Sequence, residues 1–298
     1  MVKSFIERHQ DFFTEKGAGF FTRKNIYNKN GMLLLREGQK VSESTILKLL
    51  RLESCGLEIM SEDNSVGMRG FAIASKEMAK DIQIPNTEEF EKKLNIRNKL
   101  VLEKPNKLLS DIIFESKGEP WWIYINALPN YVNWIYTHSI DVAIISMMLA
   151  ERLGYTDEEL FNIGLAALLH DVGKLLVPKA IIEKPEALNE VEKDCMRQHC
   201  ELGLSSLETF NIPKEFTDII MQHHERLDGS GYPNGLKGDE ISHIAQIAMV
   251  ADTIDAITSH RPYREAYDIK TAIKMLRKER ARYPQELITL FENIIYEE

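Results

Sequence analysis

At 298 residues the chain is long enough for one large domain or two ordinary ones, with a sizeable core. Its 44% hydrophobic and 28% charged residues are those of a globular protein. The net charge of −9 argues against a general binder of nucleic-acid polymers, because nothing neutralises phosphates over an extended surface. A small phosphate ligand stays open, since it needs only a local cluster of cations. No stretch approaches the ~18 uncharged apolar residues of a membrane span. Residues 1–10 carry Lys3, Glu7, Arg8 and His9 and lack the apolar centre of a signal peptide, so no membrane partner and a cytoplasmic location are expected. Cys55, Cys195 and Cys200 show no paired spacing and are expected to be reduced thiols. Cys195 and Cys200 flank His199, where a soft-metal site is the sharper reading and plain helix thiols the simpler one.

Residues 1–70 read as a small α+β module for regulation or partner binding. Short apolar pieces, Gly19-Phe20-Phe21 and Met32-Leu33-Leu34-Leu35, alternate with Gly and Asn, and Asn30-Gly31 is a hairpin signal. Ser42 or Ser44 can cap a helix presenting Ile46, Leu49 and Leu50 on one face and ending near Gly56. Leu57-Glu58-Ile59-Met60 can return as a strand, followed by a polar loop over 61–65. Residues 71–119 read as a helical linker region with segments near 72–84 and 87–102, interrupted by Pro85 and Pro105. Thr87 with Glu88, Glu89 and Glu91 makes a good helix start.

Residues 120–298 read as an all-helical bundle. One helix is expected over 130–153. Thr156-Asp157-Glu158-Glu159 forms a capping box for the next, which reaches His170-Asp171. A third covers 190–208 and holds His199. A fourth begins at Pro213 and runs through Phe216, Ile219 and Ile220 to His223-His224. Ser242 caps a fifth, whose stripe of Ile244, Ile247, Ala248, Ala251 and Ile254 leads to Asp252 and Asp255. Gly164, Ala166 and Ala167 make a thin patch for close helix approach. The fold class expected is therefore mainly α, a C-terminal helical bundle behind a small α+β module.

Each of His138, His170, Asp171, His199, His223, His224 and Asp252 lies in or beside an apolar helical stripe. That is a costly place for a charge or an imidazole unless it is paired or metallated. One such histidine is a hydrogen-bonded core residue more often than a ligand. Five histidines and two aspartates converging on one bundle point instead to metal, and mixed imidazole and carboxylate donors suit Fe, Mn, Zn or Ni.

These residues resemble a known family. His138, His170-Asp171 and Asp252 reproduce the H…HD…D pattern of the HD phosphohydrolases. His223-His224-Glu225-Arg226-Leu227-Asp228-Gly229-Ser230-Gly231-Tyr232-Pro233 is similar to the signature of the HD-GYP subgroup. Lys184-Pro185 with Leu188 and Glu192, His199 with Gly203, and Arg261-Pro262-Tyr263-Arg264 also match, so the likeness covers about residues 131–267. The resemblance implies an HD-type helical domain and a cyclic-di-GMP phosphodiesterase giving linear pGpG, with GMP as a further product left open. By motif position, His138, His170, Asp171 and Asp252 would hold one metal and His199, His223 and His224 a second. Asp171 would bridge them, and a hydroxide shared by the metals would attack phosphorus. Fe is the first expectation, with Mn, Zn and Ni as alternatives. Lys174 would stabilise charge on the phosphoryl oxygens. Tyr232, Arg261 and Arg264 match substrate-contacting positions, with packing or a solvated charged turn as their plainer readings. Asp255 and His260 read as supporting residues rather than ligands.

One departure is informative. Some family members hold a third metal with a glutamate four residues before the first histidine; here that residue is Trp134. An indole N–H only donates, so two metals are expected. Readings from other classes stay open: a slow or inactive cyclic-dinucleotide receptor or scaffold, or a phosphodiesterase for another cyclic dinucleotide such as cyclic GMP-AMP. A protein partner at the N-terminal module and pairing into a homodimer are also left open.

Overall fold

The computed structural model describes residues 1–16, 19–28, 33–35, 37–61, 87–119, 121–207, 212–261 and 264–297. The chain divides into two compact units. One comprises Met1–Ile82 with Lys174–His199, the other Gln83–Gly173 with Cys200–Glu298.

The smaller unit begins with helix α1 (Val2–Arg8), which buries Phe5. Six short strands follow: β1 (Phe13–Lys16), β2 (Gly19–Thr22), β3 (Ile26–Asn28), β4 (Leu33–Leu35), β5 (Lys40–Val41) and β6 (Ile59–Met60). They form two three-stranded antiparallel sheets, β1-β2-β5 and β4-β3-β6. The Asn30-Gly31 turn lies outside the described residues, as do the helix expected near 72–84 and most of the polar loop after Met60. Of the two candidate caps, Ser42 starts α2 (Glu43–Ser54), its hydroxyl accepting from the Thr45 N–H at 3.1 Å. After α2 the chain turns at Gly56, whose φ of +99° suits a residue without a Cβ.

In the larger unit, α3 (Thr87–Leu94) is shorter than the helix expected over 87–102. Asn95, at φ +53°, breaks the helical path. Pro105 does not interrupt. It sits in the first turn of α4 (Glu103–Ser116), where a missing N–H costs nothing. The run expected as one helix over 130–153 is two, α5 (Trp122–Tyr131) and α6 (Asn133–Arg152), because Val132 is extended. From Ile135 to Ala150 every residue of α6 except Thr137 is buried, which makes it the central rod of the bundle. Next comes α7 (Asp157–Leu169), with the Thr156–Glu159 capping box in place. The thin patch on α7 is used: a Cβ at Gly164 would stand 2.6 Å from Met147 Sδ and 2.8 Å from Ile112 Cδ1.

The chain then re-enters the smaller unit for α8 (Lys179–Ile182) and α9 (Glu190–Arg197). Within that unit Asn28 donates to the Leu175 carbonyl at 3.4 Å. Cys55 and Cys195 are joined in a disulfide across 140 positions, while Cys200 is free and buried. The expectation of three reduced thiols is thus corrected. Sequence spacing says nothing about a pair that the fold alone brings together.

The helix expected over 190–208 is likewise two, α9 and α10 (His199–Leu207). The chain finishes the larger unit with α11 (Lys214–Gln222), α12 (His243–Thr258), α13 (Ile269–Lys278) and α14 (Gln285–Tyr296). Helices α7 and α12 pack on α6, and α11 packs on both α7 and α12. Among the described residues, no helix is long and apolar enough to cross a membrane.

Candidate metal centre

Four helices of the larger unit deliver the polar cluster. His138 comes from the second turn of α6, His170-Asp171 from the end of α7, His223-His224 from the end of α11, and Asp252 from α12. All are buried except His224, which is part-exposed. Asp171 has no exposed surface and addresses two directions. Its Oδ2 lies 3.3 Å from His170 Nε2 and 3.5 Å from His138 Nε2, while Oδ1 lies 3.9 Å from His223 Nε2. Asp252 does the same, with Oδ1 3.1 Å from His138 Nε2 and Oδ2 3.5 Å from His224 Nδ1. Burial alone would raise the Asp252 pKa, but His138 and the other imidazoles around it hold it well below the usual carboxylate range.

The ring nitrogens pointing away from this centre are engaged. His138 Nδ1–H donates to Asp255 Oδ2 at 2.5 Å, His170 Nδ1–H to the Ala167 carbonyl at 2.6 Å, and His223 Nδ1–H to the Ile219 carbonyl at 2.9 Å. Carbonyls and carboxylates only accept, so each Nδ1 carries the proton and each Nε2 presents a lone pair inward. This is how proteins prepare imidazole to bind a cation. The donor atoms of His138, His170 and Asp252 lie within 4.8 Å of one another, and so do those of Asp171, His223 and His224. The donor set fits divalent metal ions.

His199 and Lys174 belong to the smaller unit. His199 is fully buried at the start of α10, and its Nδ1–H donates to the Met196 carbonyl at 2.7 Å. Lys174 is buried in the 3-10 turn Val172–Leu176 that follows Asp171.

The loop after His224 folds back on it. The Tyr232 N–H donates to the His224 carbonyl at 3.2 Å, and the Tyr232 ring lies 4.7 Å from the His224 ring. Burial first, then Cys200, Asp252 and Asp171 nearby, push the Tyr232 hydroxyl well above its ordinary pKa, so it remains a donor. Glu225, also buried, organises the loop. Oε1 accepts from Asn234 N–H at 2.7 Å and Gly235 N–H at 3.1 Å, and Oε2 from Leu236 N–H at 3.1 Å. Gly231 is required by this fold-back, since a Cβ there would stand 2.4 Å from Glu225 Cα. Sequence reasoning quoted Glu225 within its motif but gave it no task. The available signal was a carboxylate directly after the His223-His224 pair.

A family model described as HD domain matches residues 123–287, more than half of the chain. The chain belongs to the HD domain family. It is 33% identical over 192 residues to a cyclic di-GMP phosphodiesterase of Pseudomonas aeruginosa, covering 64% of this chain and 43% of that protein. It is 40% identical over 142 residues to the cyclic di-GMP phosphodiesterase response regulator RpfG of Xanthomonas campestris, covering 46% and 37%. With 3'3'-cGAMP-specific phosphodiesterase 3 of Vibrio cholerae it shares 39% over 139 residues, covering 47% and 30%. The chain thus spans well under half the length of these relatives.

At the outer side of the HD domain's His138, Arg261 is tucked inward. Its side chain is 7% exposed and 3.6 Å from Asp255 Oδ2, and its guanidinium lies 4.3 Å over the Trp134 ring. The plainer reading offered for Arg261, a solvated turn, does not describe it. Arg264 donates to the Ala256 carbonyl and stacks over Tyr267 at 4.9 Å. His260 pairs with Glu265 in solvent. Trp134, His138, Arg261 and Tyr267 line a cavity of about 680 Å³, together with Lys93 and Asp141.

Lys93 and Asp141 were missed in the sequence. Lys93 lies on α3, outside the HD match, and binds both Asp141 and Asp255. Burial pushes the Lys93 pKa down, but Asp255 and Asp141 outweigh it and the net shift is upward. Burial would raise Asp255, yet Lys93, His138 and Arg261 hold it far below the carboxylate range. Asp141, pushed by burial and by the Asp255 charge, rises to about 7.

Proposed function

We propose that the chain is a metal-dependent phosphodiesterase that hydrolyses cyclic-di-GMP to linear pGpG. One observation carries the reading: the outward Nδ1 atoms of His138, His170 and His223 are committed as donors, so their Nε2 lone pairs face two buried carboxylates. An apolar core would not keep such a set except for cations. The names of the relatives supply the substrate class.

In this reading His138, His170, Asp171 and Asp252 would hold one ion, and Asp171, His223 and His224 a second, for which the motif resemblance also names His199. His199 fits because its Nδ1–H is already given to Met196, which leaves Nε2 as donor atom. When bound, divalent ions supply Lewis acidity toward a phosphoryl oxygen and acidify water. Fe, Mn and Zn all suit these donors. Lys174 neutralises charge on the phosphate, and the Tyr232 hydroxyl, held protonated, donates a hydrogen bond at the rim. Arg261, whose guanidinium lies 3.2 Å from His138 Nδ1, and Arg264 would meet the dinucleotide where it extends past that ring. Residues 1–70 are assigned to regulation or partner binding, and 120–298 to the catalytic domain.

The test is incubation of Fe- or Mn-loaded protein with cyclic-di-GMP under reducing conditions, chromatography of the products, and Asp171→Ala in parallel. Appearance of pGpG from wild type alone is expected. Binding without product would convert the reading to a receptor. A parallel arm with 3'3'-cGAMP addresses the second substrate that the Vibrio relative's name raises, and faster turnover there would reassign the specificity.

A further inference from the structure

We propose that Lys93 is a positioning residue for the metal ligand His138, acting through Asp255; the inference rests on the metal reading above. Lys93 Nζ donates to Asp141 Oδ2 at 2.7 Å and to Ser259 Oγ at 2.8 Å, and binds Asp255 Oδ1. One ammonium thus ties α3 to α6 and to the last turn of α12. It uses one oxygen of Asp255, and the other oxygen takes the His138 Nδ1 proton at 2.5 Å. The Asp255 carboxylate is therefore fixed in rotation as well as in place.

That fixation has a chemical consequence. A histidine binds a metal through one nitrogen only if the other holds its proton, and a carboxylate partner enforces this more strongly than a carbonyl. Of His138, His170 and His223, His138 turns its outward nitrogen to a carboxylate and the other two turn theirs to carbonyls. Asp255 can serve only if its own charge is balanced. Asp141 and Asp255 are buried on neighbouring helices, and their like charges oppose each other. Lys93 stands between them, while Arg261 approaches Asp255 from the His138 side, 3.2 Å from that ring's Nδ1. Both cations thus bear on Asp255, and Lys93 also holds Asp141. Without Lys93, Asp255 loses its tie to Asp141 and keeps only the Ser259 hydroxyl, which donates to the same Oδ1 at 3.1 Å, and Arg261 becomes the nearest cation drawing it aside.

A purely mechanical role, gluing α3 to the bundle, would lower stability when Lys93 is lost but leave metal affinity alone. The two are separated by equilibrium dialysis of the full chain against Mn²⁺ after chelator treatment, with thermal melts alongside. For Lys93→Met the weakening expected at one ion is on the order of 10–100-fold, with the other ion retained, while Lys93→Arg returns most of the lost affinity. Wild-type affinity in a folded Lys93→Met protein would overturn the proposal and leave the metal reading intact. Absence of Mn²⁺ binding by wild type would overturn the metal reading itself. Should Lys93→Met fail to fold, Asp255→Asn decides: the same one-ion loss supports the proposal, and unchanged binding of both ions overturns it.

Discussion

Replacing Glu225 tests whether the loop over the histidines is built from the carboxylate or merely passes it. Glu225 has no exposed surface, and its two oxygens accept three backbone N–H groups, from Asn234, Gly235 and Leu236. Hydrogen bonds to a charged acceptor contribute roughly 1.5–3 kcal/mol each. The sum overstates the loss, because Asn234 is exposed and water can reach its N–H. Glu225→Ala is therefore expected to cost about 3–4 kcal/mol, including the small void left by the side chain. For a unit of this size that lowers the melting temperature by roughly 6–16 °C. Glu225→Gln keeps an oxygen for two donors but turns an NH₂ group toward the third, so about 1–2 kcal/mol is expected. Urea denaturation followed by circular dichroism measures both, and limited proteolysis should cut the Ala variant after Arg226 or Lys237 before wild type is cut. If Glu225→Ala unfolds within about 0.5 kcal/mol of wild type, the loop holds itself and the argument from the three N–H groups is wrong.

Asp171→Asn should leave the helical content unchanged but lower bound metal, because the amide withdraws an oxygen from one of the two directions Asp171 serves; metal analysis after dialysis reads this, and a loss of turnover of at least ~100-fold is expected. Asp141 ionises at about 7 in the folded chain, well above its ordinary value, so between pH 4 and 7 the folded chain holds a proton that the unfolded chain has lost. Stability should therefore fall across that window by about 1 kcal/mol per pH unit from this group. Asp141→Asn should flatten that part of the profile, and parallel profiles for the two proteins would disprove the assignment. Non-reducing peptide mapping should recover Cys55 linked to Cys195, with Cys200 alkylated only after unfolding, and reductant should lower the melting temperature.

The parts of this molecule legible in its sequence are those carried by local chemistry. The Thr156–Glu159 box, the Ser242 cap and the ligand motifs each lie within a few residues, and each reads directly onto a helix end or face. The boundaries that escaped reading had no strong breaker. Val132 and Gln198 separate helices that composition would have joined, and neither is Gly or Pro. Long-range pairs were invisible for a different reason. Lys93 finds Asp141 and Asp255 across 48 and 162 positions, and Cys55 finds Cys195 across 140. A lysine on a solvated-looking acidic helix gives no sign that its ammonium is buried between two carboxylates. Asp255, by contrast, reads in the sequence as a supporting residue rather than a ligand. Three residues after Asp252, it is on the same side of α12, and the structure gives its oxygens to Lys93 and His138.

Trp134 bears on how many ions the centre holds. The family's third-metal position would need an acid where this chain has an indole, and the structure fills the same place with charge of the opposite sign. Arg261 lies over that ring at 4.3 Å and stays within 3.6 Å of Asp255. A divalent cation within ~5 Å of a guanidinium is opposed by about 6–7 kcal/mol at an effective dielectric constant of 20. Asp255 does not offset this, since it is already shared by Lys93, His138 and Arg261. Metal analysis of the loaded protein should therefore return two ions per chain and not three. Trp134→Glu alone should not add a third, because the new carboxylate would pair with Arg261. Trp134→Glu combined with Arg261→Ala removes that partner and should raise the count. A third ion in wild type, or none in the double variant, would show that the guanidinium is not what sets the number.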